Sequence, residues 1–160
     1  MIRLAMLMVL LLACGPGSRG GPAMNNRIGG GADPVGQGSD VASGDILARD
    51  PVANNAKVKH ILISWKDLSN AKGPALERTK EQAEAIVRSL MTQIKAGADF
   101  DMLMKQHSED PGSASSGRAY DVAPDAQLVI EFKQLGLRLN VNEVGVVQSD
   151  FGFHIMKRIE

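Results

Sequence analysis

The sequence has a single cysteine, so no disulfide can form within the chain. Aromatic residues are also scarce, with one Trp, one Tyr and four Phe, and none of them precedes Trp65. Neither sign of charge is in excess, because 18 Lys and Arg residues balance 18 Asp and Glu residues. This balance gives no basis for a nucleic-acid partner or for electrostatic attraction to an anionic membrane. A disulfide scaffold and a nucleic-acid-binding protein are therefore not expected.

Long apolar runs are lacking as well. The run Leu4–Ala13 has ten residues, whereas a helix needs about 20 to span a bilayer. One positive charge at Arg3 precedes the run and small residues follow it, which is typical of a secretory signal. The letters L-L-A-C-G at residues 11–15 resemble the lipobox of bacterial lipoproteins. In that family the cysteine thiol receives a diacylglycerol, the preceding peptide is removed, and the new amino terminus is acylated.

The lipobox resemblance implies that residues 1–13 are a lipoprotein signal peptide and that Cys14 is the lipidation site. Several acyl chains would hold such a protein stably on a membrane. We therefore expect a protein of the bacterial cell envelope, anchored by lipid to the membrane and facing the periplasm or the exterior. The open alternative is an ordinary cleaved signal in which the cysteine is incidental.

Glycine and proline are concentrated in the segment that follows Cys14. Ten of the 17 glycines and four of the seven prolines lie between Gly15 and Ala56, a stretch with no apolar periodicity. Such a segment cannot bury enough apolar surface to offset the entropy of ordering it. Residues 14–56 are therefore predicted to be a lipidated cysteine followed by a disordered, flexible linker, with the folded domain starting at Lys57.

The remaining residues alternate between strand and helix patterns. Residues 58–64 read as a strand, with Val58, His60 and Leu62 on one face. The later segments are predicted, in chain order, to be a helix at 75–96, a second helix capped by Asp99, a loop at 108–116, a third helix at 128–137, and strands at 145–147 and 153–159. The fold class is α+β, with a small central sheet covered by three to four helices.

Four blocks of this folded part resemble, in order and spacing, the parvulin family of peptidyl-prolyl cis/trans isomerases. They are the strand around His60, the segment 98–113 with its S-x-D-P-x-S sequence, the pair Glu131–Phe132, and the sequence F-G-F-H-I at 151–155. The resemblance covers residues 57–160. It implies a parvulin-like domain over that range and a peptidyl-prolyl isomerase activity.

The resemblance also assigns roles residue by residue. Parvulins place two histidines on adjacent central strands, a hydroxyl residue that links them, and a cysteine or aspartate in a loop. The implied catalytic residues here are His60, Asp110, Ser149 and His154. The residues that the resemblance places in the apolar pocket for the substrate proline are Tyr120, Leu128 and Phe132.

The chemistry of the reaction suits such a set. Rotation about a peptide bond has a barrier of ~18–20 kcal/mol because amide resonance is lost. The cis and trans forms of an X-Pro bond differ by only about 0.5–1 kcal/mol, so a catalyst has to lower the barrier alone. An apolar pocket can hold the proline ring while polar groups favour the twisted amide. The reaction requires no cofactor and no metal, and the expected partners are unfolded or proline-containing envelope proteins.

Several residues depart from the family pattern at the rim of the substrate groove. Residues 117–121 read G-R-A-Y-D where the family usually has G-G-D-L-G, and Ile130 stands where proline is usual. The loop after the first strand carries only Lys66 and Lys72, so no phosphate-binding cluster is evident.

Other functions remain open at this point. One is a catalytically weak or inactive parvulin-like chaperone or protein-binding module of the envelope, in which His60 and His154 are simply buried core residues. A zinc site is not favoured, because the three histidines lack short paired spacing. A hydrolase triad of Ser149, His154 and Asp110 is not favoured, because no nucleophile elbow is present.

Overall fold

The structure, a computed structural model, describes residues 40–160, which form one antiparallel sheet with helices on both faces. The helices are α1 Gly44–Leu47, α2 Lys80–Lys95, α3 Phe100–His107, α4 Pro111–Ser116 and α5 Ile130–Gly136. The strands are β1 Ala56–Ile63, β2 Tyr120–Val122, β3 Val144–Ser149 and β4 Gly152–Arg158. The strand order in the sheet is β2-β1-β4-β3. The predicted α+β class, with a small central sheet covered by helices, is confirmed.

The two faces of the sheet pack against different helices. Ile61 and Ile63 of β1 lie in a core with Leu90 of α2 and Phe100 of α3. Val58 lies on the opposite face, in a second core to which α5 contributes Phe132. Because side chains alternate along a strand, His60 and Leu62 share the face of Val58, as predicted. The site described below lies on this second face.

The long helix begins later than the sequence suggested. It was expected at 75–96, whereas α2 starts at Lys80 and a 3-10 turn occupies Gly73–Glu77. Thr79 sets the start, because its Oγ accepts the N–H of Gln82 at 3.3 Å while the Gln82 side chain accepts the N–H of Thr79 at 2.8 Å. This reciprocal pair is a capping box, which satisfies two backbone donors that the first turn leaves free.

The segment 108–116 is not a loop throughout, as was predicted, because it contains α4. Asp110 caps this helix by accepting the N–H of Ser113 at 2.8 Å, and Pro111 occupies the first helical position. Gly117 ends the helix in the left-handed conformation, at φ 66°. The same Asp-Pro-Gly sequence is compatible with a turn, which is why the short helix was missed. The three-residue strand β2 was also missed.

Residues 43–53, which we call the strap, pack on the domain although they were predicted to belong to the flexible linker. Ser43 donates its N–H to Val146 O at 2.8 Å and accepts the N–H of Val146 on its Oγ at 2.9 Å. Ile46 is 4% exposed and belongs to the second core. Arg49 pairs with Glu143 through both carboxylate oxygens, at 2.8 and 3.0 Å. The packed unit therefore begins before the predicted boundary at Lys57.

The predicted signal peptide at residues 1–13 and the lipidation site Cys14 lie outside the described residues, as does the linker up to residue 39. Within residues 40–160, no helix combines the length and the apolar character that crossing a bilayer requires.

Candidate active site

Two histidines on neighbouring central strands form the centre of the site. His60 lies on β1 and His154 on β4, and in the strand register His154 pairs with Leu62, two residues beyond His60. This diagonal offset keeps both rings on the second face of the sheet. Their Nδ1 atoms are 3.2 Å apart, and the two residues are only 4% and 5% exposed. A pair of buried imidazoles in contact must satisfy its polar atoms internally.

Asp110 supplies a partner at one end of this pair. Because Asp110 is the N-cap of α4, its carboxylate is fixed at the start of that helix. Its Oδ2 lies 3.2 Å from His60 Nε2 and also accepts hydrogen bonds from the N–H and Oγ of Ser113 and from the hydroxyl of Tyr120, at 2.8, 2.7 and 2.8 Å. Helix α4 thus holds the carboxylate against the histidine of β1.

Ser149 supplies a partner at the other end. Its Oγ lies 2.7 Å from His154 Nε2 and accepts the N–H of Phe151 at 3.1 Å. The turn between β3 and β4 allows this contact, since Gly152 has φ 135° and lies so close to β1 that a Cβ would come within 2.5 Å of Ile63 O. Only glycine fits there without a backbone shift. Gly152 therefore helps to bring Ser149 to His154.

The donors in this chain of contacts all point the same way. Asp110 can only accept, so His60 Nε2–H donates to it; when the His60 ring is neutral, its Nδ1 is left to accept from His154 Nδ1–H. His154 Nε2 then accepts the proton of Ser149, whose oxygen in turn accepts from Phe151 N–H. Every polar atom of the chain is satisfied in this arrangement.

The ionisation states fit the same arrangement. The hydrogen bond from His60, supported by those from Ser113 and Tyr120, holds the pKa of Asp110 well below its usual range, so the carboxylate is charged at neutral pH. Burial, together with the proximity of His60, lowers the pKa of His154 from 6.5 to about 3, so its ring is uncharged. Burial and the bond to Asp110 raise the pKa of Tyr120, which keeps its hydroxyl a donor.

An aromatic and aliphatic pocket adjoins the histidines. The ring of Phe132, on α5, meets His60 and His154 edge-on at centroid distances of 5.1 and 5.4 Å. Tyr120 meets His60 edge-on at 5.1 Å. Together with Leu128 these rings line a pocket of about 220 Å³ whose wall also contains Asp110. Such a pocket can take a compact apolar ring and place polar groups beside it.

The structure brings all seven predicted site residues within the described part of the chain to this one pocket and network: His60, Asp110, Tyr120, Leu128, Phe132, Ser149 and His154. Sequence reasoning gave no site role to several neighbours. Ser113 is fully buried and gives Asp110 two hydrogen bonds. Its signal was the serine three residues after a capping aspartate. Leu62, Gln127, Val129 and Phe151 also line the pocket; of these, Phe151 belongs to the F-G-F-H-I block but was assigned no role there.

The geometry separates this site from a hydrolase triad. Ser149 is buried, and its hydroxyl is bound within the network, 2.7 Å from His154 Nε2. The carboxylate contacts His60, whereas the histidine that contacts the serine meets a second histidine. A triad would need an aspartate on the Nδ1 of His154 and an accessible serine. Among residues 40–160 there is also no group of three or more His, Cys, Asp or Glu side chains arranged to hold a metal ion.

Residues 46–160 match the family model of the PPIC-type PPIase domain. Among curated proteins, the chain is 32% identical over 119 residues to the chaperone SurA of Pseudoalteromonas translucida, covering 72% of this chain and 26% of that protein. It is 36% identical over 75 residues to the foldase protein PrsA of Geobacillus kaustophilus, covering 46% and 27%. The chain thus spans about a quarter of the length of these relatives.

Solved structures give the same fold. The structure of PrsA from Bacillus cereus aligns with a TM-score of 0.51 and 27% identity, over 75% of this chain and 39% of that one. The peptidyl-prolyl isomerase ESS1 from Candida albicans aligns with a TM-score of 0.59 and 22% identity, over 67% and 63%. The second likeness bears on the fold alone.

Proposed function

The chain belongs to the family of PPIC-type peptidyl-prolyl isomerase domains, the parvulins, and from this premise we propose that it isomerises X-Pro bonds in secreted or envelope proteins. The observation that carries the proposal is the contact between an apolar pocket and a fully satisfied polar chain. The pocket is lined by Phe132 and Leu128, and the hydrogen-bond network runs from Ser149 through the two histidines to Asp110. The catalytic roles of these residues are part of the proposal.

The site can favour rotation without forming a covalent bond. The pocket holds the proline ring, and the ionised Asp110 and the ring of His60 face the amide that rotates. Fixed charges and dipoles need no reorganisation as the amide loses its resonance, so they can bind the twisted state better than the planar one. Each ~1.4 kcal/mol of such preference accelerates rotation about tenfold.

We further propose that the protein acts outside the cytoplasm as a lipid-anchored foldase. Two observations support this: the lipobox-like sequence ending at Cys14, and relatives that are named a chaperone and foldases. The proposed clients are unfolded or proline-containing proteins of the envelope.

A protease-coupled assay tests the isomerase proposal. The protein is added to tetrapeptides with proline in the third position and a panel of residues before it, and the cis-to-trans rate is compared with the uncatalysed rate. We expect acceleration by wild type and a loss of acceleration in Phe132→Ala, with circular dichroism to confirm folding. No acceleration by folded wild type with any peptide of the panel would contradict the proposal.

One observation favours a second function, that of a parvulin-like binding module. The groove rim carries Tyr120, whose hydroxyl is engaged by Asp110, and Arg118 stacks over the Tyr120 ring at 4.8 Å. These residues belong to the segment 118–121, where the family usually has G-D-L-G. A binding module would suppress aggregation of an unfolded envelope protein at equimolar ratio while leaving the isomerisation rate unchanged.

A further inference from the structure

Asp110 uses its two carboxylate oxygens unequally. All four of its hydrogen-bond donors meet Oδ2: His60 Nε2, the backbone N–H and hydroxyl of Ser113, and the hydroxyl of Tyr120. A carboxylate oxygen has about two lone-pair positions, so Oδ2 has no capacity left for a ligand. Three of the four donors come from Ser113 and Tyr120, which makes these residues the fixed support of the carboxylate.

The other oxygen, Oδ1, accepts no hydrogen bond from residues 40–160. It is not enclosed either, because the buried side-chain atoms without a partner in this range belong to Asn70 and Gln148. The Asp110 side chain is 23% exposed. An ionised oxygen is therefore held in place with its accepting capacity unused.

Asp110 stands between two pockets. The pocket of about 220 Å³ at Phe132 takes the proline ring under the proposed function. A second pocket of about 370 Å³ lies beside it, with Ser64, Asn70 and Lys72 in its wall. Leu62, Asp110 and Phe151 line both pockets, so the two adjoin at Asp110, and we call them together the groove.

Under the proposed function the carboxylate of Asp110 faces the amide that rotates, and this determines which part of a client reaches it. The amide that rotates lies on the N-terminal side of the proline ring. A client peptide that continues from the ring past Asp110 therefore places the residue before proline in the second pocket. Proline has no N–H. The first backbone donor on that side therefore belongs to the preceding residue.

We propose that Asp110 Oδ1 binds the backbone N–H of the residue preceding the client proline. This inference rests on the proposed function. The bond would hold the chain on one side of the rotating amide while the Phe132 pocket holds the ring on the other. A charged acceptor makes a strong hydrogen bond to an amide. The contact is to the backbone, so it is open to any residue before proline that keeps its N–H.

The four donors on Oδ2 make a polarity test possible. In Asp110→Asn the same donors require an oxygen at the Oδ2 position, so the new NH₂ group must take the place of Oδ1. The groove-facing atom then changes from an acceptor to a donor, with almost no change in shape. A client N–H should lose its partner in this variant, whereas an ester oxygen at the same place should no longer be disfavoured.

The experiment compares two peptides that are identical except that an ester oxygen replaces the N–H of the residue before proline. Exchange spectroscopy by NMR gives the catalysed rate, and titration gives the affinity, with the full-length protein. For wild type we expect the ester peptide to have a catalysed rate, an affinity or both roughly tenfold lower than those of the amide peptide. For Asp110→Asn the amide-to-ester ratio should fall to about one. Asp45→Asn, which removes an exposed carboxylate on α1 that lines neither pocket of the groove, is the charge-matched control and should keep the wild-type ratio.

Equal treatment of the two peptides by wild type would overturn the inference, and so would a folded Asp110→Asn protein that keeps the tenfold ratio. If Asp110→Asn does not fold, the wild-type comparison alone decides between the outcomes. Absence of turnover with the amide peptide would count against the proposed isomerase activity. The affinity ratio would still test the Oδ1 contact in that case, so the two failures can be told apart.

Discussion

At the scale of single residues, the site depends on side chains that serve structure and chemistry together. Asp110 caps α4 and also accepts from His60. Gly152 permits a close approach of two strands and also sets the turn that carries Ser149. The motif residues with a family role could be assigned that role from sequence, whereas Ser113, although it ends the S-x-D-P-x-S motif, was given none. The sequence does not show that this serine is buried or that both of its donors meet the carboxylate of Asp110, as the structure does.

Removal of the Ser149 hydroxyl is the cleanest test of the polar chain. Ser149→Ala leaves His154 Nε2 without its donor and creates little empty volume. We expect kcat/KM for an X-Pro peptide to fall ten- to hundred-fold, equivalent to ~1.4–2.8 kcal/mol of transition-state stabilisation. The matched control is Ser89→Ala, an exposed serine on α2. Unchanged kcat/KM in a folded Ser149→Ala protein would remove this hydroxyl from the mechanism.

Burial of His154 makes stability depend on pH. The pKa of this histidine is lowered from 6.5 to about 3 in the folded state, so between these values the unfolded chain binds a proton that the folded protein does not. Its contribution to stability is present above pH ~6.5 and is lost as the pH falls towards 3, by about 1.4 kcal/mol per pH unit.

Urea unfolding at pH 7, 6, 5 and 4 measures this slope directly. The slope should be much smaller in His154→Gln, if that variant folds, and unchanged in His107→Gln, whose histidine is exposed on α3. A free energy of unfolding that stays constant between pH 6 and pH 4 in wild type would show that His154 is not held uncharged.

At the scale of helices and strands, the predictions succeeded where periodicity is long and failed where a short element depends on its partners. The alternation along β1 and the cap at Asp99 with inward Phe100 were correct. Strand β2 has three residues and exists because it pairs with β1, a contact that no local pattern encodes. The strap was missed for the same reason. Ile46 and Leu47 are a short apolar pair in a Gly-rich, polar stretch, and only the core shows where they pack.

The strap should therefore contribute to stability. Ile46 contacts the second core, where Gly145 is packed closely enough that a Cβ would come within 3.1 Å of the Ile46 side chain. We expect Ile46→Ala in the full chain to lower the free energy of unfolding by ~2–5 kcal/mol, the usual range for deleting a buried aliphatic side chain. Val52→Ala is the control, because Val52 is 51% exposed. If urea unfolding shows equal losses of stability in Ile46→Ala and Val52→Ala, the strap is not part of the core.

At the scale of the whole molecule, the site is assembled from segments that are far apart in the sequence. His60 is 50 residues from Asp110 and 94 residues from His154. No local rule predicts a contact over such distances, so the sequence supplied this set only through its resemblance to a family. The resemblance could not supply what is particular to this chain, namely Tyr120 on Asp110 and Arg118 above it, because the family pattern departs at those positions.

Anchoring to a membrane is the prediction that concerns the molecule as a whole. Cys14 is the single cysteine of the chain and closes the lipobox-like sequence, so a lipid attached at this residue would be the feature that places the domain at a membrane. Each buried CH₂ of an acyl chain contributes ~0.8 kcal/mol, and more than one chain is needed for stable attachment. Bacteria that express the full chain should therefore incorporate labelled fatty acid into it and retain it in the membrane fraction.

Cys14→Ala should abolish both the labelling and the membrane retention, because no other thiol is present to take the diacylglycerol. Cys14→Ser serves as a second variant that keeps the size of the side chain. The isomerisation rate of the purified domain should be the same with and without the lipid, since every residue of the proposed site lies between His60 and His154. Labelling that persists in Cys14→Ala would contradict the anchor at this residue, and membrane retention without labelling would point to a protein partner in its place.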